Sequence, residues 1–297
     1  DSEQIEHAIA EQFMRNSVSV EQIQDRLGRG GNDCERCRLT RGAVSNQKRG
    51  GQAAFTLAEV LITLGIIGVV AAMTLPSLIQ NYQKKALATQ TQKFYSTMSQ
   101  AVKQYMADYG VDDLRNTPLA SDNYVGYASP EGIASIRNFV TKYLKVVKEC
   151  NPHDEDDNNC FAPEYRDWDN SISEDNFTTN LAYSSARDYV LADGSVIRID
   201  YHSQGAPIEL YVDVNGKKGP NRVGYDLWNM DIFYDGVIDE SGVTPECRKE
   251  GINCDYAVED VNTPAEAREK RFEGCKEGNT YGGCFGHLLN NNFKFDY

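Results

Sequence analysis

The chain of 297 residues is poor in histidine, and its four (His7, His153, His202 and His287) lie far apart in sequence. It has no GxSxG, HExxH or phosphate-loop pattern, and no paired carboxylates stand out beyond its charged loops, so the signatures of a serine hydrolase, a zinc protease and an NTPase are missing. Basic charge is also short: 30 Lys and Arg face 44 Asp and Glu, giving a formal net charge of -14 and a pI near 4.8. A protein that binds a polyanion through counterion release usually presents a basic face, which argues against nucleic acid as partner. These absences favour a structural role with no enzymatic activity. With 40% hydrophobic residues, the length allows one or two modest domains with a real core.

What is present begins with AAFTLAEVLITLGIIGVVAAMTLPSLIQNY, residues 53 to 82. Residues 60 to 79 carry no charge, and a helix of that length, at about 1.5 Å per residue, crosses a hydrocarbon core of about 30 Å. A secretory signal peptide is the competing reading. Its apolar region is shorter and ends at a small-residue cleavage site, whereas this run continues into helix. Arg36, Arg38, Arg41, Lys48 and Arg49 precede the run, and only Lys84, Lys85 and Lys93 follow within a similar distance, so the N-terminal side is assigned to the cytoplasm. Cysteine usage agrees. Cys34 and Cys37 precede the span, while the even set Cys150, Cys160, Cys247, Cys254, Cys275 and Cys284 follows it, as expected for an oxidising compartment. Cys34 and Cys37 form a CxxC pair with no second pair to complete a zinc site.

Past Pro76 the helical pattern persists. Leu87, Thr91, Phe94, Met98, Ala101 or Val102, Tyr105 and Tyr109 recur at steps of three and four up to Gly110, predicting one helix from Phe55 to Tyr109. Pro76 removes a backbone donor and crowds the preceding turn, which predicts a kink or local melting there. Gly65 and Gly68 thin one face for close helix contact.

The basic, Gly-containing KRGGQAA, the start Phe55-Thr56-Leu57-Ala58-Glu59, the apolar run, Pro76 and the amphipathic continuation together resemble the N-terminal segment of type IV pilins and of the pseudopilins of type II secretion systems. The resemblance covers roughly Lys48 to Gly110. It implies that a prepilin peptidase cuts between Ala54 and Phe55 and methylates the new amine, and that Glu59 and Pro76 serve assembly. Two features depart from the family: Ala54 stands where Gly is usual, with Gly50 and Gly51 upstream, and the 54-residue leader is long. Within that leader EQIEHAIAEQF has the pattern of a short amphipathic helix and no chemical signal.

The resulting division is a cytoplasmic leader at 1–54, a transmembrane helix at 55–80, the exported half of the helix at 81–110 and an exported globular domain at 111–297. In that domain 111–187 reads as irregular apart from a helix at Glu131 to Val147, and CNPHDEDDNNC reads as a solvated loop tied by Cys150 and Cys160, a Ca²⁺ loop being the alternative. YVLADGSVIRIDY is a hairpin about Asp193-Gly194, IELYVDV leads to Asn215-Gly216, and LWNMDIFYDGVID supplies another strand pair. Three to five antiparallel strands on the helix stripe make an α+β domain, as the resemblance implies. DVNGKKGPN, with Asp213 and Asn215 as weak Ca²⁺ candidates, reads first as an Asn-Gly turn, because Lys217 and Lys218 occupy positions where oxygens are wanted. No other cofactor is expected. Sequence neighbours are the expected disulfides: Cys150 with Cys160, Cys247 with Cys254, and Cys275 with Cys284.

The resemblance thus implies a pseudopilin-like structural subunit of a type II secretion filament, single-pass in a bacterial inner membrane. Its partners are other pilin or pseudopilin subunits, the prepilin peptidase and an inner-membrane assembly platform. The alternative is a minor pilin of a type IV pilus acting in adhesion or DNA uptake. The intact mass of membrane-extracted protein is expected to match a chain starting at N-methylated Phe55; a start at Asp1, or a cut beyond Pro76, contradicts that processing.

Overall fold

A computed structural model describes residues 56–120, 130–151, 160–173, 187–201, 208–252, 254, 261–278 and 282–297. The leader, with Cys34, Cys37, Ala54 and Phe55, lies outside them, as do His153 and the acidic run between Cys150 and Cys160. Helix α1 spans Leu57–Tyr109 and remains helical through Pro76, where the sequence predicted a kink or melting. The chain divides at Leu75 and Pro76 into two compact units.

In the first unit the described residues are helix whose apolar side chains are uncovered: Leu61, Ile62, Ile66 and Ile67 are each exposed by about 60%. In the second unit the same helix becomes a core element. Leu87, Thr91, Phe94, Met98, Ala101, Val102, Tyr105 and Met106 are buried, following the predicted stripe except at Tyr109, which is 49% exposed and packs its ring against Tyr105 at 4.8 Å. The helix stops where expected. Gly110 adopts φ +66°, its N–H bonds to the Ala107 carbonyl at 3.1 Å and the Val111 N–H to the Met106 carbonyl at 3.1 Å, a left-handed cap that satisfies two terminal carbonyls.

Helix α2 (Pro130–Tyr143) turns Ile136, Phe139 and Val140 inward, with Phe139 edge-on to Tyr105 at 5.3 Å. It ends four residues before the predicted Val147. β-Branched Val146 and Val147 extend instead into strand β1 (Val146–Cys150). The strands β2 (Arg187–Leu191), β3 (Val196–Tyr201), β4 (Ile208–Asp213), β5 (Leu227–Ile232) and β6 (Ile238–Asp239) follow, all antiparallel in the order β1-β2-β3-β4-β5-β6. The hairpins at Asp193-Gly194 and after Asp213 fall where the alternation put them. The sixth strand is β1, in the stretch read as irregular.

Three C-terminal helices were not expected: α3 (Pro245–Glu250), α4 (Pro264–Lys276) and α5 (Cys284–Asn290). Each of the first two opens on a Thr cap with Pro at the first turn: Thr244 Oγ1 accepts from Cys247 N–H at 3.1 Å and Thr263 Oγ1 from Glu266 N–H at 3.2 Å. Gly283, at φ +97°, enters α5; a Cβ there would stand 2.1 Å from the Arg271 carbonyl, so only glycine lets α5 approach α4 this closely. Disulfides join Cys150 to Cys160, Cys247 to Cys254 and Cys275 to Cys284, with Cα separations of 5.9, 4.7 and 5.5 Å.

One core gathers α1 and α2 with Ile197, Ile199, Leu210, Val212, Trp228 and Met230 of the sheet and Phe285 of α5. A charge pair is buried with it: Arg198 on β3 donates to both Asp188 oxygens on β2 at 2.7 and 2.9 Å, and its guanidinium lies 5.3 Å from the Phe161 ring centre. Neither side chain is more than 1% exposed. Taking away one member of such a pair leaves a buried charge undercompensated, at about 3–5 kcal/mol. Asp188→Ala is therefore expected to lower the unfolding free energy by that amount in denaturant titration with disulfides intact; a loss under about 1 kcal/mol would show that the pair does not matter to stability.

Candidate assembly site

Helix α1 begins with reciprocal bonds between Thr56 and Glu59. Thr56 N–H donates to Glu59 Oε2 at 2.8 Å and Thr56 Oγ1 donates to the same oxygen at 2.9 Å. Glu59 N–H donates back to Thr56 Oγ1 at 3.2 Å. This is a capping box, in which two backbone donors that a helix start leaves orphaned are satisfied by side chains three apart. The sequence reading missed Thr56, although T-x-x-E ahead of an apolar run is its signature. The box means that Glu59, alone among apolar residues, has polar partners within its own chain. The negative carboxylate also stands at the positive end of the helix dipole, where charge is favoured.

Around this start the surface is uniformly apolar and outward-facing. None of the most apolar 18-residue window is buried within the chain. Two hydroxyls in the run are satisfied internally: Thr63 Oγ1 donates to the Val60 carbonyl and Thr74 Oγ1 to the Val70 carbonyl, each at 2.9 Å. A Cβ added at Gly65 or Gly68 would meet nothing within 4 Å, so both glycines leave shallow hollows on an open surface. Pro76 has no N–H to give the Ala72 carbonyl and sits at the division between the two units, with Leu78 and Tyr82 beyond it still exposed.

The second oxygen cluster is at the turn after β4. Asp213 Oδ1 accepts from Asn215 N–H at 3.1 Å and Oδ2 from the Tyr165 hydroxyl at 2.6 Å. Asp226, which the sequence reading did not single out, accepts from Asn221 N–H at 2.8 Å and Arg222 N–H at 2.6 Å. Gly216 at φ +67° makes this the Asn-Gly turn expected. Burial pushes the Asp226 carboxyl up to about 6. It pushes that of Asp213 well above the usual carboxylate range, with the Asp226 charge adding to the effect. The amide oxygens of Asn215 and Asn221 are buried without a hydrogen-bond partner. An all-oxygen set of this kind suits a hard cation and no soft metal. Among the described residues no three His, Cys, Asp or Glu side chains converge on a metal position. The described histidine, His287, is held between Glu269 at 2.7 Å and Asp296 at 2.9 Å and stacks on Phe272 at 3.9 Å. It ties α4, α5 and the last residues together.

Residues 49–75 match the prokaryotic N-terminal methylation motif, a span that contains Ala54, Phe55 and Glu59. Residues 77–219 match a family of unknown function (DUF6613). The type IV major pilin protein PilE of Neisseria gonorrhoeae is 30% identical over 97 residues, 33% of this chain. The chain spans about half the length of that curated relative. No solved structure matches significantly.

The capping box makes its own prediction. Thr56→Val deletes one side of it and is expected to weaken the helix start by about 0.5–2 kcal/mol. This will be read as faster amide exchange over residues 57–60 in detergent micelles, with Thr56→Ser close to the parent. Equal protection in the valine variant would mean that the box does not hold the helix start.

Proposed function

We propose that this type IV pilin-like chain is stored in a membrane by the first half of α1, is processed between Ala54 and Phe55, and enters a filament that drives protein export by a type II secretion system. One observation carries the filament reading. An uncharged apolar helix surface of membrane-spanning length has no cover within its own chain, and it begins at a methylation motif.

Lipid covers that surface during storage, and neighbouring copies of α1 cover it in the filament. The leader carries eight basic and eight acidic residues, so its removal leaves the whole -14 on the remaining chain. What cleavage adds is an amine at Phe55, cationic at neutral pH and still cationic when methylated. A carboxylate at the bilayer centre is unfavourable by about 2.5–3.5 kcal/mol, less near the interface. In the unprocessed chain the Thr56 bonds are the local compensation for Glu59. Between subunits, the amine of an incoming chain supplies a countercharge to the Glu59 of one already assembled, and the pair fixes their axial register. Pro76, at the division between the two units, lets the membrane half adjust without disturbing the packed half. The same fold serves a second reading, a pilus subunit, which the likeness to a major pilin favours. Its acidic body disfavours DNA as the bound partner.

Glu59→Ala is expected to insert and be cleaved like the parent, yet to be missing from sheared filaments, with export of secreted protein reduced at least about tenfold, as loss of a buried interface charge pair allows. Assembly and export at parental levels would remove the pairing role from Glu59. Filaments recovered from a strain whose secretion is unaffected by deleting the gene would favour the pilus reading over export.

A further inference from the structure

Four acidic residues stand in cross-strand register across the sheet. Asp200 pairs with Glu209, Glu209 with Asp231, and Asp231 with Asp239, and all four are buried. Like charges directly opposite one another on neighbouring strands destabilise a sheet. At the β6 end the charge is compensated: Asp239 receives both arms of Arg268 from α4, at 2.8 and 2.7 Å, and Arg248 of α3 lies 3.6 Å away, with the Tyr95 phenol of α1 close enough to feel these charges.

The middle of the row is different. Glu209 accepts from two neutral donors, the Tyr211 hydroxyl at 2.8 Å and the Asn229 amide at 2.9 Å. Beside Asp231 stands a further buried carboxylate, Glu240, which accepts the Gly283 and Gly286 N–H groups at 2.8 Å each and that of Ser241 at 3.2 Å. The entry to α5 thus rests directly on Glu240. A Cβ on Gly282 would meet both Glu240 Oε1 and Asn229 Oδ1, at 3.2 and 3.3 Å. From α4 the facing cation is Arg271, which acts on both Asp231 and Glu240. The α5 histidine, His287, is engaged by Glu269 and Asp296.

We propose that the buried carboxylates Asp231 and Glu240, with Glu209 in register beside Asp231, make the seating of the C-terminal helices acid-dependent, the helices holding tightest when Asp231 and Glu240 carry protons and loosening as the medium turns alkaline. The direction follows from burial. Desolvation, joined by the Glu209 and Glu240 charges, raises Asp231 well above the carboxylate range, and desolvation brings Glu240 up to about 7. The folded state therefore holds protons that the unfolded chain has already released. Its extra stability is complete below the ordinary carboxylate range and is lost as pH rises towards about 7. The C-terminal helices sit on the ionising groups through Glu240, so they register the loss first.

Hydrogen exchange on the full chain in detergent micelles, disulfides intact and rates corrected for intrinsic pH dependence, tests this. From about pH 5 to about pH 8, protection of 268–276 and 284–290 is expected to fall about tenfold relative to β1 and β2, which carry none of these three carboxylates, the factor that one pKa unit of linkage supplies. Asp231→Asn and Glu209→Gln are each expected to flatten that fall. Equal protection at the two pH values in the parent overturns the proposal, and so does a fall that persists unchanged in both variants. If either variant does not fold, the parental profile and the other variant decide.

Discussion

A surface that its own fold cannot bury governs this protein. The uncharged run of α1 exposes leucine, isoleucine and valine side chains of a kind that globular proteins place inside, each favouring burial by roughly 1.5–3 kcal/mol. No described part of the chain covers them. An apolar area this large signals an interaction surface. Three polar side chains at the run are satisfied within the chain, so that the cover need offer them nothing polar: Thr63 and Thr74 bond to their own helix, and Glu59 is tied to Thr56. The cover can therefore be exchanged. Lipid and a bundle of like helices are interchangeable solvents for such a face, as the proposed passage from a membrane into a filament would require.

The other half of α1 meets the opposite condition. From Leu87 to Met106 its stripe is buried among α2, the sheet and α5, so the helix is an anchor at one end and a core element at the other. Pro76, where a covalently missing N–H weakens the ladder, precedes the first buried residue, Leu87. The sheet behind the stripe carries unusual buried charge. Asp188 and Arg198 neutralise one another, Arg268 neutralises Asp239, Glu209 accepts from the Tyr211 hydroxyl and the Asn229 amide, and the Arg271 charge acts on Asp231 and Glu240. Side chains and disulfides from beyond β6 close over this region, which explains why the C-terminal quarter is rich in arginine-carboxylate contacts and cysteine.

Much of this was legible in the sequence because it depends on local pattern. The apolar run, the stripe to Tyr105, the Gly110 stop and the turns at Gly194 and Gly216 each follow from spacing or from a glycine that must take positive φ. The cysteine pairs closed between sequence neighbours as expected. What was missed had tertiary or competing local causes. Residues 144–147 were read as prolonging α2, and β-branched Val146 and Val147 with the pairing of Val146 to Leu191 decide for strand. α4 has no apolar face to speak of; it is held by Arg268, His287 and the Cys275 bridge, contacts that periodicity does not show. Its Thr263-Pro264 start was nonetheless readable. Asp226 became visible only when the fold returned it to Asp213, from which it is separated by a whole turn, and Thr56 was overlooked because Glu59 was read as a charge awaiting an external partner.

The claim that one apolar face changes its cover is open to a direct measurement. A photoreactive residue replacing Ile66, which lies in the middle of that face and is 60% exposed in the chain, can be activated in intact cells, and the products sorted into membrane and sheared-filament fractions. The account predicts monomer or lipid adducts from the membrane fraction and subunit-to-subunit crosslinks through residue 66 from the filaments. Subunits in filaments whose residue 66 reacts only with water or lipid would contradict it.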